Sequence, residues 1–142
     1  MVDDVLINKA ATIERCVRRA REEYERGPDT FATDFTRQDA AILNIQRACE
    51  AALDMGQHIV RLERLGVPQS SRDIFVLLAR GGWIRTELAE TMQRMIGFRN
   101  IAVHEYQVLQ LPITIAIITR HLDDFLVYSK AMLDGASGKR AL

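Results

Sequence analysis

The sequence lacks most of what would tie a chain to a membrane, a metal or a disulfide scaffold. Its only cysteines, Cys16 and Cys49, have neither a CxxC spacing nor a histidine companion. Neither a zinc site nor a disulfide framework is indicated, so both read as small core residues in a reducing, cytoplasmic setting. No stretch approaches the ~18 uninterrupted apolar residues that a membrane helix needs. The opening MVDDVLINKA brings acids early, where a secretory leader would carry a basic region and then an apolar run. Net charge is missing too, since Lys plus Arg and Asp plus Glu each number 19. No long-range field draws the whole molecule onto nucleic acid, and a polyanion must instead meet a local basic patch. Lysine is scarce: 16 of the 19 cations are arginine, whose planar fork grips phosphate bidentately and never deprotonates. Genomic base composition explains that bias as well, because most of these arginines fall in helical patterns where they face water. Period-two alternation, internal repeats and low-complexity segments are all absent.

What is present is helical periodicity. With 142 residues, 48% hydrophobic and 27% charged, residues 1–142 suit one globular domain. Leu6, Ala10, Ile13, Val17, Ala20 and Tyr24 alternate steps of four and three, laying a stripe along a first helix that Gly27-Pro28 ends. Its other face pairs Glu14 with Arg18 and Glu22 with Arg26, a solvated charge run. Thr36-x-x-Asp39 resembles a capping box opening a second long helix to about Leu65, with Ile42, Ile45, Cys49, Ala52 or Leu53, and Ile59 inward. Ser70-x-x-Asp73 opens a short third helix, Ile74 to Arg80, closed by Gly81-Gly82. Thr86 can cap a fourth with Leu88, Met92, Met95 and Ile96 inward. A last helix opens at Pro112 and carries Ile115, Ile118, Leu122, Phe125 or Leu126, and Met132 or Leu133, before a frayed tail over 135–142. The expectation is an all-α, up-and-down bundle of four long helices and one short one.

One segment is not explained by packing. Arg99, Asn100, His104, Glu105 and Tyr106 place a fixed cation, an amide, an imidazole, a carboxylate and a phenol within eight residues. Imidazole is the side chain best suited to move a proton near neutral pH, and guanidinium is the best organic stabiliser of extra negative charge on phosphate. Together they suit phosphoryl chemistry on RNA: His104 takes the proton of a ribose 2′-hydroxyl, which attacks the adjacent phosphorus while Arg99 holds the phosphorane-like oxygens. A second His104 from a partner subunit, or water, returns a proton to the leaving 5′-oxygen. The scheme needs no cofactor and no metal, for which Glu105 has no acidic companions nearby. On a regular helix, however, Arg99 and His104 point about 140° apart, so either the helix distorts here or two chains share the site. Each residue also has a plainer role: Arg99 as a cap on helix-end carbonyls, Tyr106 as a buried anchor, His104 as a surface group, like His58 and His121.

The string RNIAVHEY resembles the R-x4-H-x-Y signature of HEPN-domain proteins of the HepT-like toxin family, and the MxxMIGFRN approach and helix order are similar over most of the chain. The resemblance implies Arg99 and His104 as catalytic residues, with Asn100 and Tyr106 in support. It further implies a homodimeric (or higher even-order) endoribonuclease that forms the toxin half of a toxin–antitoxin pair. Its partner would be a minimal nucleotidyltransferase that silences it by adenylylating Tyr106. The substrate would be RNA, with transfer RNA and messenger RNA both open, and no membrane is implied. A second reading is a non-catalytic helical dimer that binds a nucleotidyltransferase or a nucleotide at the same cleft, and a third is a purely structural subunit.

Overall fold

The computed structural model describes residues 3–106 and 109–138. Helices α1 (Asp4–Glu25), α2 (Phe35–Leu62), α3 (Asp73–Arg80), α4 (Thr86–His104), α5 (Leu111–Arg120) and α6 (Leu122–Ala136) follow in order, with a 3₁₀ turn at Phe31–Thr33 between α1 and α2. Among the described residues there is no strand. α1 and α2 form the most extensive pairing; α6 lies against α1, and α4 packs against α2, α3 and α6. The expected stripes are the ones that go inside: Leu6, Ile13, Val17 and Ala20 from α1, Ile42, Ile45, Cys49, Ala52 and Ile59 from α2, and Met92, Met95 and Ile96 from α4 are all buried. They join one apolar cluster with Phe75, Trp83, Phe125 and Tyr128, each large side chain contributing roughly 1.5–3 kcal/mol through burial. Both cysteines are buried and free.

The helix starts depart from expectation in an instructive way. α2 is capped by Asp34, whose Oδ1 accepts from the Arg37 N–H at 3.1 Å, so the Thr36-x-x-Asp39 box does not form and Asp39 keeps its carboxylate for another partner. Arg37 itself is buried. Its guanidinium donates to Asp34 Oδ2, to Thr30 Oγ1 and to the carbonyls of Glu23 and Gly27, which ties the α1–α2 connection to the start of α2. Asp3 caps α1 through the N–H groups of Val5 and Leu6 and pairs with His58 of α2 at 2.8 Å. His121 pairs with Asp124 at 3.0 Å. These two histidines therefore have structural employment. On α1, Arg26 reaches Glu23 at 3.2 Å rather than Glu22, and Arg21 crosses to Asp123 of α6 at 2.8 Å.

The last helix is two helices. His121 sits at φ −126°, ψ −5°, breaking the predicted run after Arg120, and α6 then continues through Ala136, two residues into the segment expected to fray. That extension is explained by packing, because Gly135 is buried and an added Cβ would lie 2.5 Å from Trp83 Cε3. Residues 139–142 of the expected frayed tail lie outside the described residues. α3 ends where Gly82 adopts φ 80°, a left-handed conformation that glycine takes at no steric cost.

Gly56 of α2 lies tight against both α3 and α6. A Cβ there would stand 2.6 Å from Ile74 Cγ2 and 2.9 Å from the Tyr128 hydroxyl, which itself donates to the Ala52 carbonyl at 2.8 Å. Alanine in a helix interior gains up to about 1 kcal/mol over glycine, but overpacking a filled core costs about 1–3 kcal/mol. Gly56→Ala is thus expected to destabilise the protein on balance, lowering its denaturant midpoint without changing the slope; a variant as stable as wild type would show that this contact is slack.

Candidate active site

The segment singled out in the sequence forms the end of α4. Phe98 and Ala102 are buried and fix the helix to the core, so the residues between and beyond them turn outward. α4 runs unbroken to His104, and Glu105 closes it with an N–H to the Ile101 carbonyl at 2.8 Å. The helix does not distort. Five residue steps on a regular helix separate Arg99 and His104 by about 140° and about 7.5 Å of rise, so one chain does not bring both side chains onto one face.

Arg99 is held in place. Its Nη1 donates to Asn100 Oδ1 at 2.9 Å and its Nη2 to Glu50 Oε1 of α2 at 3.4 Å. Its Nε is buried without a hydrogen-bond partner. A guanidinium has five N–H donors; here Nη1 and Nη2 each keep a second hydrogen while Asn100 and Glu50 fix the plane. His104 contrasts with it: the imidazole is exposed and, among the described residues, has no hydrogen-bond or ion-pair partner. Asn100 and His104 are four residues apart on one helix, the spacing at which side chains meet.

Tyr106 leaves the helix line in the turn after α4 and reaches back to α2, where its hydroxyl donates to Asp39 Oδ1. Partial burial, together with the Asp39 carboxylate that accepts its proton, pushes its pKa up to about 12. Asp39 and Glu50 are eleven residues apart on α2, hence on nearly the same face and about 16 Å apart along the axis. One stripe of α2 thus anchors both ends of the motif, with Glu50 on Arg99 and Asp39 on Tyr106. Neither carboxylate was singled out as a site residue from the sequence. The available signal was their shared helical register with Phe35, Leu43 and Gln46, a face too polar and too exposed for a core stripe.

The surroundings are apolar on one side and basic on another. Phe35 is 74% exposed and Leu43, Ile101 and Val103 are each about two-fifths exposed, an unusual density of open apolar side chains around one helix end. Between α1 and α2 runs a polar groove of about 210 Å³, lined by Lys9, Arg15, Asn44, Arg47 and Glu50 among others. Lys9 is committed to Asp54 at 2.9 Å, whereas Arg15 and Arg47 have no ion-pair partner among the described residues. A separate cleft of about 320 Å³ between α4 and α5, bordered by Phe98, Ile113 and Ile117, contains none of the motif side chains.

A helical bundle presenting an oriented guanidinium, an unengaged imidazole and a phenol at one helix end defines a candidate ribonuclease of the HEPN type. Residues 13–132 match the family described as Ribonuclease HepT-like, and the chain belongs to that family. It is 49% identical over 124 residues to the mRNA nuclease HepT of Shewanella oneidensis, an alignment covering 87% of this chain and 92% of that one. The fold matches a crystal structure of a toxin–antitoxin with AMP-PNP, with a TM-score of 0.88 and 45% identity, covering 92% of this chain and 98% of that one. It also matches the tri-AMPylated Shewanella oneidensis HEPN toxin in complex with MNT antitoxin, with a TM-score of 0.87 and 46% identity over the same shares of the two chains.

The Asp39–Tyr106 contact makes a spectroscopic prediction. In Asp39→Asn the amide oxygen still accepts the hydroxyl but no longer repels a phenolate, so the Tyr106 pKa is expected to fall from about 12 toward the ordinary value near ~10. Phenolate then forms at lower pH in the variant than in wild type. An ultraviolet difference titration, with Tyr106→Phe as the blank, reads the shift. Burial holds Tyr128 far above this range, and superimposable curves would show that Asp39 does not face the phenol in solution.

Proposed function

We propose that this chain is a metal-independent endoribonuclease, the toxin of a pair whose antitoxin is a minimal nucleotidyltransferase, and that it works in the cytoplasm. The observation that carries the reading is the guanidinium of Arg99, oriented by Asn100 and Glu50, on the same helix end as an imidazole with no hydrogen-bond or ion-pair partner among the described residues. His104 accepts the proton of a ribose 2′-hydroxyl. The oxygen attacks phosphorus, the bond to the 5′-oxygen breaks, and a 2′,3′-cyclic phosphate and a 5′-hydroxyl result. Arg99 carries the charge that builds on the equatorial oxygens, which a preorganised cation stabilises without reorganisation.

The regularity of α4 through His104 supports a site whose cation and base come from two chains. A twofold axis near the α4 ends supplies both. The exposed apolar side chains Phe35, Leu43, Ile101 and Val103 offer the area such a seam would cover. Arg15 and Arg47 in the adjoining groove give a neutral chain the local positive surface that a polynucleotide backbone requires.

The relatives support the remaining parts of the reading. One is an mRNA nuclease, another a HEPN toxin that is tri-AMPylated and bound to its MNT antitoxin. In this chain the acceptor is Tyr106, exposed enough to be reached and on the same helix end as Arg99. Adenylyl groups there add bulk and anionic charge that compete with an RNA phosphate for the guanidinium.

Induction of the wild-type chain without its antitoxin is expected to arrest growth, and purified chain to cleave RNA but not DNA with EDTA present. His104→Ala is expected to lower kcat about 100- to 10,000-fold, and Arg99→Ala at least about 100-fold, both remaining folded. Unchanged growth arrest with His104→Ala would point instead to a binding module that acts through its partner.

A further inference from the structure

Resting on the reading of Tyr106 as the acceptor of adenylyl groups, we propose that Asp39 is a catalytic residue of that modification: the toxin chain itself supplies the base that takes the proton of its own tyrosine. Asp39 Oδ1 already accepts the Tyr106 hydroxyl hydrogen. It does so from another element, α2, across 67 residues of sequence, so the contact is made by the fold and not by local chain geometry. Asp39 is exposed and plays no part in capping α2, which Asp34 does, nor does it make an ion pair among the described residues. A carboxylate with no capping or ion-pair duty therefore faces the one oxygen that must become a nucleophile.

The chemistry requires such a group. Tyr106 remains a neutral phenol at physiological pH, and its oxygen attacks the α-phosphorus of ATP weakly unless the proton leaves as the new bond forms. In the balanced step the Tyr106 oxygen bonds to the α-phosphorus and the bond from that phosphorus to the α,β-bridging oxygen breaks. Pyrophosphate departs, and the phenol proton passes to Asp39 Oδ1 and from there to water. A carboxylate accepting a hydroxyl proton during phosphoryl transfer is the arrangement protein kinases use. The product then disengages itself: the modified side chain has no donor left for Asp39, and its phosphate anion meets a carboxylate. Repulsion frees the ring from α2, on the helix end where the Arg99 cation stands.

Asp39→Asn separates proton acceptance from positioning, since the amide oxygen still accepts the hydroxyl hydrogen but does not take the proton. The full-length wild-type and variant chains are incubated with ATP and the nucleotidyltransferase antitoxin, and adenylyl transfer to Tyr106 is timed by mass spectrometry. The expected result is a kcat for transfer about 100-fold lower in the variant, a KM for the toxin chain changed by less than about threefold, and partial recovery with Asp39→Glu. Transfer to Asp39→Asn at the wild-type kcat, or faster, would overturn the proposal and assign the proton to a base on the antitoxin. Wild-type chain that is never modified at Tyr106 would overturn the adenylylation reading beneath it, a distinct result because the wild-type lane alone decides it.

Discussion

The site depends on one face of one helix. Asp39 and Glu50, three turns apart on α2, hold Tyr106 and Arg99 respectively, so the motif at the end of α4 is fixed from outside its own helix. α2 can serve as this frame because its neighbouring stripe, Ile42 through Ile59, is sunk in the core. Moving α2 would cost the burial of several large side chains, at roughly 1.5–3 kcal/mol each. The Glu50–Arg99 pair is itself partly open, with 43% and 23% of the two side chains exposed, and an ion pair in that setting adds little stability. Its value lies in orientation: with Asn100 it fixes the plane of the guanidinium, using one hydrogen each of Nη1 and Nη2.

Much of the fold was legible because helical burial writes itself into spacing. The i, i+3, i+4 stripes of α1, α2 and α4 face the core as the spacing predicts, with Ala10, Tyr24 and Leu88 only partly buried at its margin. What escaped was decided by competition between near-equivalent local signals. Thr36-x-x-Asp39 and Asp34 both offer a cap to α2, and the buried Arg37, which needs a carboxylate beside it, settles the choice for Asp34. The stripe after Pro112 continues in register across His121, so periodicity alone had no means of showing the break between α5 and α6. Gly135 looked like the start of a loose tail, yet the face of Trp83 accepts a residue only without a side chain there.

For the site, the residue types and their order were readable and their partners were not. A stretch carrying Arg, Asn, His and Tyr within eight residues announces chemistry, whereas Glu50 and Asp39 are ordinary helical acids until tertiary structure sets them opposite that stretch. Of the alternatives that spacing left open, a distorted helix or two contributing chains, the regular α4 speaks against the first, and the proposed function adopts the second. Near its end α4 leaves Ile101 and Val103 each about two-fifths exposed, apolar area that the proposed two-chain seam would cover.

Under the proposed mechanism the guanidinium and the imidazole acting on one linkage belong to different chains, and mixing inactive variants reveals whether they do. Arg99→Ala and His104→Ala chains, each inactive alone, are unfolded together, refolded at equal amounts and assayed on RNA. In a mixed dimer one site has lost both groups and the other keeps both, so about a quarter of wild-type activity should return. A refolded mixture that contains mixed dimers yet stays as inactive as its parents would contradict the account, placing both groups of each site on a single chain.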